Sequence, residues 1–204
     1  MRDNEREGKP IPTVGLSLRG CYAKSMRLGG GAISKGSDSM KPALLIIDVQ
    51  KEFYKSSPQT AQSLQEAVEY INAAIALFRA KELPIICIQH MDEEDKLIPG
   101  EDGFELPEEL RVLASDIHIH KTYSNAFNKT PLQSKLHELD VDTVIMTGFC
   151  AEYCVLSTCR GANDLDLTPI ILRGSLASVN LENIKFVESI SEIISFEALK
   201  KVLG

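Results

Sequence analysis

The chain has 204 residues, of which 44% are hydrophobic, and its formal net charge is −7. This length predicts one domain with a sizeable core, and the negative charge argues against nucleic acid as the main partner. No apolar run in the sequence approaches the roughly 20 residues needed to cross a bilayer. We therefore expect a soluble protein with neither a membrane nor a nucleic acid as its partner.

The cysteines indicate the redox compartment. There are five of them, and Cys150, Cys154 and Cys159 fall close together in the sequence. An odd number with this clustering does not fit a disulfide framework, and it is typical of proteins from reducing compartments. We expect a cytoplasmic protein.

Residues 1–39 differ from the remainder, because they have no apolar periodicity and contain Gly29 to Gly31 and scattered prolines and serines. Such a composition does not bury enough surface to offset the entropy of ordering, so we expect a disordered leader. It is either an expression extension before Met40 or a transit peptide, and its acidic residues disfavour the second. The globular domain is then residues 40–204.

Apolar spacing predicts alternating strands and helices after Met40. In chain order they are strand 43–49, helix 61–81, strand 85–89, loop 91–109, strand 117–120, helix 132–139, strand 143–147, a helix from 154, strand 170–172, helix 181–189, strand 192–195 and helix 196–203. This order predicts an α/β fold with three layers, in which a doubly wound, mostly parallel sheet has about six strands. Functional sites in such sheets form at the carboxyl ends of the strands.

Three side chains with complementary chemistry are predicted at those strand ends. Asp48 lies at the end of the first strand, Lys121 follows the third, and Cys154 follows the turn at Gly148, where we expect it to begin a helix. A helix start favours the thiolate, the cation stabilises it, and the carboxylate accepts its proton. Taken singly, the residues have plainer interpretations: a small buried cysteine, an acid that solvates a strand end, and a surface lysine.

Three segments carry a family resemblance: L-L-I-I-D-V-Q (44–50), K-T-Y-S-N-A-F-N-K-T-P-L (121–132) and T-G-F-C-A-E-Y-C-V-L-S-T (147–158). They resemble the isochorismatase-like cysteine hydrolase superfamily, which includes nicotinamidases, N-carbamoylsarcosine amidases and ureidoacrylate amidases. The resemblance implies a catalytic triad of Asp48, Lys121 and Cys154. It also implies a cis peptide bond between Phe149 and Cys150, with the backbone N–H groups of Cys150 and Cys154 forming an oxyanion hole.

The resemblance further implies the reaction, which is hydrolysis of a C–N bond in a small amide or ureide through a thioester. Isochorismatases proper lack the cysteine, so Cys154 favours amide or ureide cleavage. Nicotinamidases bind a metal through an Asp-x-His pair, where this chain has only His90, and we therefore expect neither metal nor cofactor. The alternatives are a nicotinamidase-type amidase and a non-catalytic interaction protein.

Substrate contacts are also expected from the resemblance. The loop G-E-D-G-F-E-L (100–106) matches a family segment that commonly approaches the substrate. The expected contacts are Gln50, Phe53, His90, Phe104 and Tyr153. Family members commonly assemble around the active site, so we also expect a homo-oligomer.

Overall fold

The computed structural model describes residues 40–204 as strands and helices around one sheet. The strands are β1 Pro42–Ile47, β2 Ile85–His90, β3 Ile117–Lys121, β4 Thr143–Gly148, β5 Thr168–Leu176 and β6 Ile193–Ile194. The helices are α1 Lys51–Tyr54, α2 Pro58–Ala80, α3 Leu132–Glu138, α4 Leu156–Asp164, α5 Leu181–Ser189 and α6 Phe196–Val202. The predicted leader lies outside the described residues.

The sheet has the strand order β3-β2-β1-β4-β5-β6, and every pairing in the described part is parallel. Strand β1 lies in the middle of the sheet, β2 and β3 follow on one side of it, and β4 pairs with its other side. The strand order therefore reverses between β1 and β4, which is where ligands bind in such sheets. The predicted three-layer, doubly wound fold is confirmed, and the sheet is wholly parallel rather than mostly so.

Strand β1 is covered on both faces, and all six of its residues are buried. Leu45 and Ile47 point into a cluster with residues of α3, α4 and α5. Leu44 and Ile46 point into a second cluster with residues of α2 and α6. This two-sided burial explains why the strand is an uninterrupted apolar run rather than an alternating one.

The long helix α2 begins three residues earlier than its apolar spacing predicts. The side chain of Ser57 accepts a hydrogen bond from the backbone N–H of Thr60 at 3.0 Å, and Pro58 occupies the first turn. Ser at the N-cap and Pro at the first helical position are preferred because they suit the unpaired N–H groups there. The cap, and not the first apolar residue, sets the start.

Two further elements differ from the prediction. The short helix α1 was not predicted, and it follows β1 directly. Strand β5 runs to Leu176, well beyond the predicted end at 172, and its pairing with β4 shifts register between Met146 and Gly148. The extension brings the segment after β5 next to the turn that follows β4.

Candidate active site

Asp48 lies where β1 ends, with a left-handed backbone at φ 52°. Its N–H donates to the carbonyl of Ile88 at 2.8 Å, which anchors it to β2. This conformation is uncommon for residues other than glycine and costs about 1 kcal/mol or more. It turns the chain out of the strand, and the side chain of Asp48 is buried, at 1% exposure.

The turn after β4 is held against the end of β1. Gly148 has φ 113°, and a Cβ atom there would lie 2.0 Å from the carbonyl oxygen of Ile47. The N–H of Phe149 donates to that same oxygen at 2.8 Å. The peptide bond between Phe149 and Cys150 is cis, as the resemblance implied.

The position predicted for Cys154 at a helix start is corrected by the structure. Residues Ala151–Val155 form a π-helical turn, and the α-helix begins after them at Leu156. The N–H of Val155 bonds to the carbonyl of Cys150, five residues back, at 3.2 Å. A π-helical turn contains one residue more than an α-helical turn, and a search for a period of 3.6 residues does not detect it. Cys154 therefore lies inside the π-helical turn and not at the start of the α-helix.

Lys121 joins the other two members of the triad. Its Nζ lies 2.7 Å from Oδ2 of Asp48 and 3.3 Å from Sγ of Cys154. Strand β2 separates β3 from β1, and the long lysine side chain reaches across it. The lysine side chain is completely buried, so its charge is balanced inside the protein by the carboxylate.

The pKa values of the triad indicate a protonated thiol at rest. Burial, followed by the nearby Asp48 carboxylate, raises the pKa of Cys154 to about 12, although Lys121 opposes this. Burial also raises the pKa of Asp48 against the opposing charge of Lys121. These shifts favour the protonated thiol of Cys154, which then requires a base. Among the described residues, Oδ1 of Asp48 is buried without a hydrogen-bond partner.

His90 ends β2 beside the triad. Its Nδ1 lies 3.4 Å from Nζ of Lys121, and burial, followed by the lysine charge, lowers its pKa. The side-chain amide of Gln50 accepts from the N–H of His90 at 2.7 Å and donates to its carbonyl at 2.9 Å. Gln50 is fully buried, so it fixes the backbone of His90.

The three aromatic residues expected near the substrate have different settings. The ring of Phe53, in α1, lies 4.9 Å from the ring of Phe149. Tyr153 is 64% exposed on the π-helical turn. Phe104 is buried and packs its ring edge-on against His120 at 5.1 Å. Phe53 therefore packs beside the end of β4, Tyr153 lies on the surface of the π-helical turn, and Phe104 holds the 91–109 loop against the sheet.

Glu152 is a site residue that the sequence did not reveal. Its carboxylate accepts hydrogen bonds from Sγ of Cys150 at 3.0 Å, from Oγ of Ser178 at 2.7 Å and from Nδ2 of Asn183. These bonds connect the π-helical turn to the segment after β5 and to α5. The only signal was an acidic residue between Cys150 and Cys154, and nothing in the sequence indicated its partners.

Residues 40–204 contain no group of three or more His, Cys, Asp or Glu side chains arranged to hold a metal ion. None of the helices in this part of the chain is long and apolar enough to span a membrane. Independence from metal stays a prediction.

A buried carboxylate, ammonium and thiol thus meet at the switch point of a parallel sheet, where sites form in α/β folds. The isochorismatase domain family model matches residues 42–188. This chain belongs to the isochorismatase family, which confirms the resemblance found in the three sequence segments.

Similar proteins cover most of the chain. An isochorismatase family protein, YrdC of Bacillus subtilis, is 28% identical over 145 residues, which are 70% of this chain and 77% of the relative. The ureidoacrylate amidohydrolase RutB of Cronobacter sakazakii is 22% identical, covering 78% of this chain and 91% of the relative. A crystal structure of an isochorismatase family protein is 31% identical with a TM-score of 0.69, covering 77% of this chain and 99% of that one.

Proposed function

We propose that this protein is a cysteine hydrolase that cleaves a C–N bond of a small amide or ureide through a thioester on Cys154, without a metal. The observation that carries the proposal is the position of Lys121, whose ammonium group contacts both the Asp48 carboxylate and the Cys154 sulfur in a buried setting. A nucleophile beside a base, with a third group tuning both, is the arrangement used for covalent acyl transfer.

In the first half-reaction, Asp48 takes the proton of the Cys154 thiol, for which its unpaired Oδ1 is available. The thiolate attacks the substrate carbonyl carbon, a C–S bond forms, and the carbonyl oxygen becomes an oxyanion. Backbone N–H groups of Cys150 and Cys154 receive that oxyanion. When the tetrahedral intermediate collapses, the C–N bond breaks and the proton on Asp48 moves to the leaving nitrogen.

In the second half-reaction, a water molecule attacks the thioester and gives its proton to Asp48. The C–S bond breaks, the acid product leaves, and Asp48 returns the proton to the Cys154 sulfur. Lys121 stays cationic throughout and offsets the negative charge that moves between the carboxylate and the sulfur. The similarity to RutB, a ureidoacrylate amidohydrolase, supports a C–N bond as the target.

The test is release of ammonia from a panel of small primary amides and ureides by the purified full chain, with a chelator present. Wild-type protein should release ammonia, and Cys154→Ala should reduce the rate to that of the uncatalysed control. His137→Asn, an exposed change on α3, should leave the rate unaltered. Retained activity in Cys154→Ala, or loss in the chelator alone, would contradict the mechanism. No release from the whole panel would favour a non-catalytic interaction protein.

A further inference from the structure

Lys121 makes three polar contacts, and its contact with His90 indicates which ring nitrogen of that histidine carries the hydrogen. An ammonium group has three hydrogens and no acceptor. Nζ of Lys121 is near Oδ2 of Asp48, Sγ of Cys154 and Nδ1 of His90. One hydrogen is therefore directed to each contact, and the ring nitrogen facing the lysine must accept.

The tautomer of His90 follows from this geometry. A neutral imidazole has one donor and one acceptor nitrogen, so a ring that accepts at Nδ1 carries its hydrogen at Nε2. The charged groups around this ring are Lys121, Asp48 and Asp92. Burial and the lysine lower the pKa of His90, with the two carboxylates opposing, and the ring is thereby kept neutral.

The Nε2–H group of His90 is available to a ligand. None of the hydrogen bonds among residues 40–204 uses Nε2, and the side chain is only partly buried. Its backbone is clamped on both sides by Gln50. The contact between Lys121 and Nδ1 orients the ring, and the two bonds from Gln50 hold the backbone of His90. The Nε2–H donor therefore has a fixed orientation at the end of β2, beside Lys121.

We propose that His90 is a substrate-binding donor of fixed tautomer, and that its Nε2–H selects substrates with a second oxygen acceptor beside the carbonyl to be cleaved. This rests on the proposed function for the location of that carbonyl at Cys154. The substrate class is a small amide or ureide with a neighbouring carbonyl or carboxylate oxygen. The aliphatic isostere without that oxygen is discriminated against, because it leaves the donor unpaired.

The first test is nuclear magnetic resonance of the four histidine side chains in protein labelled with ¹⁵N, which needs no turnover. The His90 signals are identified as those missing from His90→Asn. We expect the Nε2–H tautomer at neutral pH in the wild-type protein, and a ring pKa below the ordinary histidine value. An Nδ1–H tautomer or a charged ring would overturn the proposal, whether or not the protein hydrolyses amides.

The second measurement titrates Cys154→Ala protein with malonamide and with 3-methylbutanamide, which has the same number of non-hydrogen atoms but an isopropyl group in place of the second amide. Malonamide should shift the His90 Nε2 resonance at a concentration at least about tenfold lower than its isostere. Equal responses, or none, would overturn the acceptor preference. If ammonia release fails while the malonamide shift is seen, only the proposed hydrolysis is contradicted.

Variants separate binding by Nε2 from packing of the ring. The amide of glutamine reaches the position of Nε2, whereas that of asparagine reaches the position of Nδ1. His90→Gln should therefore keep the preference for malonamide, and His90→Asn should lose it and raise KM about tenfold with a smaller change in kcat. His137→Gln and His137→Asn are the matched controls. Equal loss in both His90 variants would indicate a packing role and overturn the assignment.

Discussion

Lys121 has a buried ammonium group that contacts the carboxylate, the thiol and an imidazole. Its positive charge lowers the pKa of Cys154, against burial and Asp48, which raise it. A lysine in this position makes transfer of the thiol proton to the carboxylate less costly, because the negative charge stays close to the ammonium wherever it resides. We therefore propose an electrostatic role for Lys121 in this proton transfer.

Removing the charge of Lys121 should raise the pKa of Cys154. Lys121→Ala takes away the group that lowers the Cys154 pKa, so at any given pH less thiolate forms. The rising limb of the pH–rate profile should move to higher pH, and activity at neutral pH should fall at least about tenfold. The check is the pH dependence of ammonia release and of Cys154 alkylation. Lys201→Ala, on the exposed side of α6, is the control, and a limb that stays in place would contradict the role.

The turn after β4 depends on close contact between two backbones. Gly148→Ala combines a positive φ with a Cβ atom 2.0 Å from a fixed carbonyl oxygen. We expect a loss of about 3 kcal/mol or more in the free energy of unfolding, because backbone atoms must shift. Gly100→Ala is the matched control: φ is 94°, but nothing lies within 4 Å of the added Cβ. It should cost about 1 kcal/mol in urea denaturation, and equal losses would show that the contact with Ile47 is unimportant.

The carboxylate of Glu152 connects the π-helical turn to Ser178 and to Asn183 of α5. Glu152→Ala leaves Ser178 and Asn183 without their acceptor and should cost about 1–3 kcal/mol of stability. Because the same carboxylate holds Cys150 in the turn, kcat should fall about tenfold or more while KM changes less. Thermal unfolding and steady-state kinetics measure the two effects. Glu69→Ala, exposed on α2, should change neither, and an unchanged kcat in Glu152→Ala would show that the bonds are only structural.

Patterns local in sequence predicted most of the elements. The apolar run predicted β1 and the helical spacing predicted α2, each within about three residues of the observed bounds. A strand buried on both faces is apolar throughout, and a helix buried on one face repeats its apolar residues at the helical period, so both patterns can be read from the sequence. The π-helical turn was missed because it adds one residue to a helical repeat without changing the residue types. The bonds of Glu152 were missed because Ser178 and Asn183 are distant in sequence. Asp48, Lys121 and Cys154 were predicted together because they lie at the ends of predicted strands, and the three motifs supported that prediction.

At the scale of the whole molecule, the exposed surface beside the site bears on assembly. Four apolar or aromatic side chains on or near α5 are each about half exposed or more: Tyr153, Val179, Phe186 and Ile190. We predict a homo-oligomer that covers this surface, since burying such side chains is favourable. Light scattering at micromolar protein is the measurement, and Phe186→Asp should shift the mass toward the monomer. A wild-type monomer would contradict the prediction.

In the proposed mechanism, Cys154 carries the acyl group of the substrate. The most direct test of this step is rapid acid quenching of wild-type protein during turnover of the best amide or ureide, followed by intact mass and peptide mapping. We predict a mass increase equal to the acyl group, mapped to the peptide with Cys154 and absent from Cys154→Ala. Turnover that continues in Cys154→Ala, or an acyl group mapped to another residue, would contradict the account.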